Sequence, residues 1–174
     1  MRSLFFNRCK NYFLRAFGIQ IGEGTILQTG FRWLPGLEKN IILGRHVIAG
    51  MNLHIFAHST VRIGDFVLIS HDVSISNGSH DINTFKPFGS CIDIGAGCWI
   101  GIDAKIVATK ACGLSIGNNA IIGAGALVIN DVPNNAVVGG VPAKILSFRS
   151  PSDVVWHCNG GYSPNDFTLY PYCK

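Results

Sequence analysis

The chain has 174 residues, enough for one domain with a sizeable core, and its 48% hydrophobic and 14% charged composition leaves no room for a large disordered region. Its 21 glycines are dispersed rather than clustered, which points to a fold rich in tight turns and not to a linker. A formal charge of +4 suits an anionic ligand or a membrane surface, but no dense Lys/Arg stripe is present, which excludes nucleic acid as the principal partner.

At the start of the chain, apolar residues fall at positions 5, 6, 9, 12, 13 and 16, with Arg2, Arg8, Lys10 and Arg15 among them. This spacing predicts a helix over 3–17, within an N-terminal cap of residues 1–18. Two readings stand: a helix that covers the open end of a repeat array, or a basic amphipathic helix resting on a membrane. Arg8 and Lys10 interrupt the apolar run expected of a secretory signal, and no stretch approaches the roughly 18 apolar residues of a membrane span. A cytoplasmic protein is therefore expected, with peripheral contact at the inner face of the membrane under the second reading. The six cysteines, at 9, 91, 98, 112, 158 and 173, form no CxxC pair, which argues against a zinc ribbon or a thioredoxin-like centre.

From residue 19 a six-residue period takes over. Aliphatic residues recur as Ile63, Ile69, Ile75; Ile94, Ile100, Ile106; and Ile116, Ile122, Val128. The next residue is Gly at 64, 95, 101, 117 and 123, and four places after the aliphatic comes a small or β-branched residue, with Lys110 the exception. Weaker units extend upstream at Ile21-Gly22 and Leu43-Gly44 and downstream at Val138-Gly139. Neither a helix nor a plain strand has this period. It fits a triangular solenoid in which each hexapeptide supplies one short strand and one corner, with three hexapeptides to a coil. In this all-β fold the aliphatics stack inside the prism, the glycines relieve crowding and supply positive φ at the turns, and Cys98 is core filler.

The period lapses from Ser76 to Asp93, in a loop (residues 76–93) with the composition of an excursion from a rigid scaffold. A shorter insertion, ATKACG at 108–113, reads as a bulge at a corner. The repeat domain ends at 147. The extension 148–174 is rich in aromatics and turn formers, has no hexapeptide period and is expected to be irregular.

The triplets, the GSHD loop, CWIG at 98–101, IIGAGALV at 121–128 and GGVPAKIL at 139–146 occur in that order. Together they resemble the hexapeptide-repeat acetyltransferases over about residues 40 to 147: the galactoside, maltose and streptogramin enzymes and those of colanic-acid and O-antigen assembly. The run from Leu68-Ile69-Ser70-His71-Asp72-Val73 into Ser79-His80-Asp81 is similar to the exopolysaccharide branch. The resemblance implies a left-handed parallel β-helix over 19–147, acetyl-CoA as acyl donor, a saccharide or sugar-nucleotide acceptor, a homotrimer and no metal. It also implies that His80 removes the proton from the acceptor, the commonest role of a histidine in general acid–base catalysis. Asp81 then orients the ring or the acceptor, or is a solvated loop acid.

By the same resemblance, backbone groups of Gly101 and Ile102 lie by the thioester, and Gly123 and Ala124 meet the pantetheine arm. Lys144 meets the CoA phosphates. Ile129 and Asn130 stand where the family carries Thr-Lys, so one phosphate contact is lost, with Arg149 and Lys110 as substitutes. Asn52 matches a sugar-binding Asn, the acids that follow it in the galactoside branch become Ala57 and His58, and Trp99 is either a sugar-stacking surface or a structural corner residue.

The β-helix also builds zinc γ-type carbonic anhydrases, for which His46, His54, His58 and His71 are the candidate ligands, but their spacing does not match that family. A scaffold without enzymatic activity has no reason to keep a long His-bearing loop. Among transferases, O-acetylation of a saccharide in surface polysaccharide assembly is expected ahead of N-acetylation of an amino-sugar nucleotide or of a xenobiotic.

Overall fold

The computed structural model describes residues 2–150. Each repeat forms one strand of two or three residues followed by a corner, and the coils stack into parallel ladders on three flat faces. The first face holds Gln20–Ile21, Ile41–Leu43, Val61–Ile63, Ile92–Ile94 and Leu114–Ile116. The second holds Ile26–Leu27, Ile48–Ala49, Leu68–Ile69, Trp99–Ile100, Ile121–Ile122, Ala136–Gly139 and an antiparallel Lys144–Phe148. The third holds Arg32–Trp33, His54–Phe56, Ser74–Ser76, Lys105–Val107 and Leu127–Val128. This is the left-handed parallel β-helix.

The register brings the periodic aliphatics into vertical stacks. Ile21, Leu43, Ile63, Ile94 and Ile116 are successive partners on the first face. Leu27, Ala49, Ile69, Ile100, Ile122 and Val138 follow one another on the second, and Trp33, Ile55, Ile75, Ile106 and Val128 on the third. All are buried except Trp33, which is half-buried against the core. Burying one such side chain is worth about 1.5–3 kcal/mol. Strands this short are held by that stacking rather than by local propensity.

The glycine expectation holds for crowding and needs correction for backbone shape. Residues with positive φ are the third after the aliphatic: Gly24, His46, Phe66, Gly97 and Asn119 at the corner between first and second faces, and Gly30, Asn52, Asp72, Asp103 and Gly125 at the next. The glycines directly after the aliphatic serve a different need. An ideal Cβ on Gly22, Gly44, Gly64, Gly95, Gly101 or Gly117 would fall 2.4–2.7 Å from a backbone atom of the adjoining coil. Only a hydrogen fits between coils there.

Every irregularity in coil length gathers at the third corner, where the third face hands over to the first. Segments 34–40, 57–60, 77–91, 108–113 and 129–131 all lie there, the 108–113 bulge included. The helix α1 (Arg2–Ala16) covers the first coil. Leu14 is buried against the core, the Lys10 ammonium donates to the carbonyls of Leu27 and Gln28, Asn11 donates to Thr25 O (2.7 Å), and the Arg15 guanidinium donates to Ile21 O. Lys10 and Arg15 thus satisfy carbonyls of an end coil, while Tyr12, Phe13 and Phe17 are exposed. At the other end, Lys144–Phe148 pairs with Ala136–Gly139 and spans the expected boundary at 147; the rest of the C-terminal extension, 151–174, lies outside the described residues.

Candidate active site

The 76–93 excursion contains a two-stranded hairpin. Gly78–His80 pairs antiparallel with Pro87–Gly89, in the register Gly78 with Gly89, Ser79 with Phe88 and His80 with Pro87, so His80 stands on a two-stranded hairpin. Its tip is closed by Asp81, whose carboxylate Oδ1 accepts from the backbone N–H of Asn83 (3.1 Å) and from the N–H and hydroxyl of Thr84 (both 2.8 Å). The Thr84 and Asn83 donors hold the Asp81 carboxyl below the usual aspartate range. Asp81 thus stabilises the turn that follows His80. His80, Ile82 and Phe85 are exposed.

The hairpin leaves and rejoins the prism at Asn77, which is fully buried. Its side-chain amide donates to Ser59 O (2.8 Å) and Thr60 O (3.3 Å), and its carbonyl oxygen accepts from Ser59 N–H (3.2 Å). Its backbone carbonyl accepts from Ser90 N–H at 2.9 Å, where the chain returns. Above it, Gly78 lies against His58: an ideal Cβ on Gly78 would come 2.2 Å from that imidazole. Neither Asn77 nor the packing of His58 is evident from motif reading. Both become visible by stepping back one coil, since Phe56 is the partner of Ser76.

A second group of candidate residues lies along the corner between the second and third faces. In successive coils this edge carries Asn52, His71-Asp72, Gly101-Ile102-Asp103 and Gly123-Ala124-Gly125, and Lys144 joins it as the partner of Gly139. The backbone N–H of Gly101 donates to Ile122 O (2.8 Å) and that of Gly123 to Val138 O (2.7 Å), so both are spent on the ladder. The N–H groups of Ile102 and Ala124 donate to no carbonyl among the described residues, which leaves both available as donors on this edge. The side-chain amide of Asn52 donates to Asp72 Oδ1 at 2.8 Å. Trp99 faces outward on the second face, half exposed, with its indole N–H 3.4 Å from the Ser70 hydroxyl.

Ile129 and Asn130 do not join that edge. They sit at the third corner, with His80, and the Lys110 ammonium donates to Asn130 Oδ1 at 2.9 Å. Arg149 reaches Asn119 O instead (3.2 Å). The third face separates the two groups, and from Ile102 to Val107 the extended chain covers roughly 15–20 Å.

The four other histidines among the described residues are dispersed. His46 stacks on Phe66 (5.2 Å between ring centroids), His54 lies on the third face beside Phe56, His58 is beneath Gly78, and His71 Nδ1 accepts from Met51 N–H at 2.8 Å. Among the described residues no three His, Cys, Asp or Glu side chains converge to hold a metal ion. Cys98 is buried, donates to Gly117 O, and burial pushes its thiol up to about 11. Among the described residues no helix is long and apolar enough to cross a membrane.

No family model matches the sequence. The chain is 38% identical over 113 residues to the galactoside O-acetyltransferase of Escherichia coli, a match covering 62% of this chain and 54% of that one, so it spans about half of that relative's length. It is 27% identical over 144 residues, 82% of this chain and 76% of the relative, to Escherichia coli WcaF, provisionally named a colanic acid biosynthesis acetyltransferase. A solved galactoside acetyltransferase in complex with coenzyme A superposes with a TM-score of 0.74 at 30% identity, covering 84% of this chain and 73% of that one. A hexapeptide-repeat acetyltransferase of Vibrio cholerae complexed with acetyl coenzyme A gives 0.74 at 26% identity, covering 85% and 83%. By these coil repeats and these similarities the chain belongs to the hexapeptide-repeat, left-handed β-helix acetyltransferase family.

Proposed function

We propose that this chain transfers the acetyl group of acetyl-CoA to a hydroxyl of a saccharide, in the assembly of a surface polysaccharide, with His80 as general base. The observation that carries the reading is that His80 is held out on an anchored hairpin, at the longest break in the repeat of a chain with this family membership. A sugar hydroxyl is far too weak an acid to ionise near pH 7, so it needs a base that accepts its proton as the oxygen attacks the thioester carbonyl. The tetrahedral intermediate then collapses, the C–S bond breaks, and the imidazolium returns its proton to the departing thiolate. Backbone N–H groups at Ile102 and Ala124 suit the oxyanion and the pantetheine amides, which require donors already in position.

His80 and those donors belong to different edges of one prism, and this favours a site shared by two copies in a homotrimer. Two features support such an assembly. Over its six parallel strands the outward ladder of the second face is apolar, with Ile26, Ile48, Leu68, Trp99, Ile121 and Val137 stacked in register. The hairpin tip presents Ile82 and Phe85, 86% and 78% exposed, which a neighbouring copy would cover. Peripheral membrane contact through α1 draws its support from exposed Tyr12, Phe13 and Phe17, and flotation with anionic vesicles tests it.

Replacing His80 with Ala is expected to lower acetyl transfer by about a hundredfold or more, the range for loss of a general base, while acetyl-CoA still binds by calorimetry. Unchanged turnover would end the assignment. A screen of CoA release against sugars, nucleotide sugars and oligosaccharides identifies the acceptor. Light scattering tests the trimer, and Ile82→Asp with Phe85→Asp is expected to weaken association and turnover together.

A further inference from the structure

We infer that His58 is a specificity-determining residue which binds an anionic group, carboxylate or phosphate, on the acceptor; the inference rests on the reading of His80 as the base. Phe56 pairs with Ser76, so His58 lies one coil below Gly78. An ideal Cβ on Gly78 would fall 2.2, 2.7 and 2.8 Å from Cδ2, Cγ and Nε2 of His58. Gly78 lies outside the left-handed region, so its backbone does not demand glycine; the imidazole occupying its side-chain position does. Across the hairpin, an ideal Cβ on Gly89 would lie 3.1 Å from Ser59 Cβ and 3.2 Å from the His58 carbonyl, so both glycines seat the hairpin on residues 58 and 59.

Side chains two apart on a strand, and those directly opposite on its antiparallel partner, share a face. One face of this hairpin therefore consists of Gly78, His80, Pro87 and Gly89, and His58 lies on that same side. Positions 78 and 80 are about 7 Å apart, which sets the two imidazoles at either end of a smooth, small-residue floor. The floor carries no carboxylate. Asp81 alternates to the opposite face, and its acceptor oxygen is engaged by Asn83 and Thr84.

Two imidazoles without an acid between them make a poor cradle for a neutral polyol, whose hydroxyls gain only ordinary hydrogen bonds. An anion at His58 gains a charge-assisted bond, roughly twice as strong, and its charge favours the protonated ring. Bound there, the anion leaves a hydroxyl several ångströms away in front of His80.

The test compares wild type with His58→Gln, which keeps a donor of similar reach and removes the charge. Three acceptor probes are used: an oligosaccharide containing a uronic acid, a phosphorylated sugar, and the neutral parent oligosaccharide. Wild type is expected to favour one anionic probe by about tenfold or more in kcat/KM, and His58→Gln to erase that preference, mostly through KM, so that the anionic probe falls to the level of the neutral one. The favoured arm tells carboxylate from phosphate. Equal use of neutral and anionic probes by wild type, or a uniform loss with all three in His58→Gln, overturns the inference. If no probe is acetylated although acetyl-CoA binds, the catalytic reading fails, and saturation-transfer NMR decides this one alone: His58-dependent binding of an anionic probe supports it, and its absence refutes it.

Discussion

Asn77 offers the sharpest test of how the scaffold controls the candidate base. Replacing it with Ala removes an amide that satisfies three backbone groups of the preceding coil: Ser59 O at 2.8 Å, Thr60 O at 3.3 Å and Ser59 N–H at 3.2 Å. A net hydrogen bond is worth about 0.5–1.5 kcal/mol, and a buried group left without a partner costs about 1–3 kcal/mol. The 3.3 Å contact is the weakest of the three, so we expect a loss of about 2–4 kcal/mol. At about 2–4 °C per kcal/mol for a chain of this size, global coupling would lower Tm by roughly 5–15 °C. If the hairpin loosens by itself, Tm moves little, but His80 loses its position, and a displacement near 1 Å costs about a hundredfold in rate. The assays are thermal unfolding, CoA release and acetyl-CoA calorimetry, run together on Asn77→Ala and Asn77→Asp. Asp keeps an acceptor for Ser59 N–H but turns its second carboxylate oxygen toward the Ser59 and Thr60 carbonyls in a fully buried site, so it should lose at least as much as Ala. Acetyl-CoA affinity should hold in both, because its candidate donors lie across the third face. An Ala variant with wild-type Tm and wild-type turnover would refute the reasoning.

Two further outcomes follow from packing. Gly117→Ala, whose Cβ would meet the Asn134 backbone nitrogen at 2.4 Å, is expected to cost about 3 kcal/mol or more, whereas Gly125→Ala, with φ of +65° and open space around it, should cost about 1 kcal/mol; equal losses in thermal unfolding would contradict the steric account. The Cys98 thiol, held near 11 by burial, should stay protonated at pH 8 and escape a disulfide-exchange reagent until denaturant is added. Cys98→Ala should therefore leave the number of fast-reacting thiols unchanged, while Cys91 and Cys112, both exposed, react at once.

The core was legible because an aliphatic every six residues has only one geometric outcome: Ile63, Ile69 and Ile75 had to line three faces of a prism, and each is buried as expected. The positive-φ positions were not legible, because Gly24, His46, Phe66, Asp72 and Asn119 share a backbone shape and no side-chain chemistry. The hairpin was hidden for a related reason, since Gly78, His80, Pro87 and Gly89 carry little strand propensity and pair only because Asn77 and Ser90 pin the two ends together. His80 stood out as the histidine in the longest break. Asn77 and His58 did not, because their contacts run between coils and are visible only once the coil length is known. The motif residues also read as one site, whereas Ile129 and Asn130 share a corner with His80, and Ala124 and Lys144 share another.

The two ends of the prism have a consequence for solubility. A stack of parallel strands exposes unpaired backbone groups at its top and bottom, and two such surfaces from different molecules match each other like successive rungs. Lys10 and Arg15 occupy carbonyls at the bottom. At the top, Lys144–Phe148 runs against the direction of the ladder and cannot propagate it. A chain stripped of α1 would expose that surface at the bottom while the top stays closed, so its failure would be bottom-to-bottom association of two molecules rather than open-ended growth.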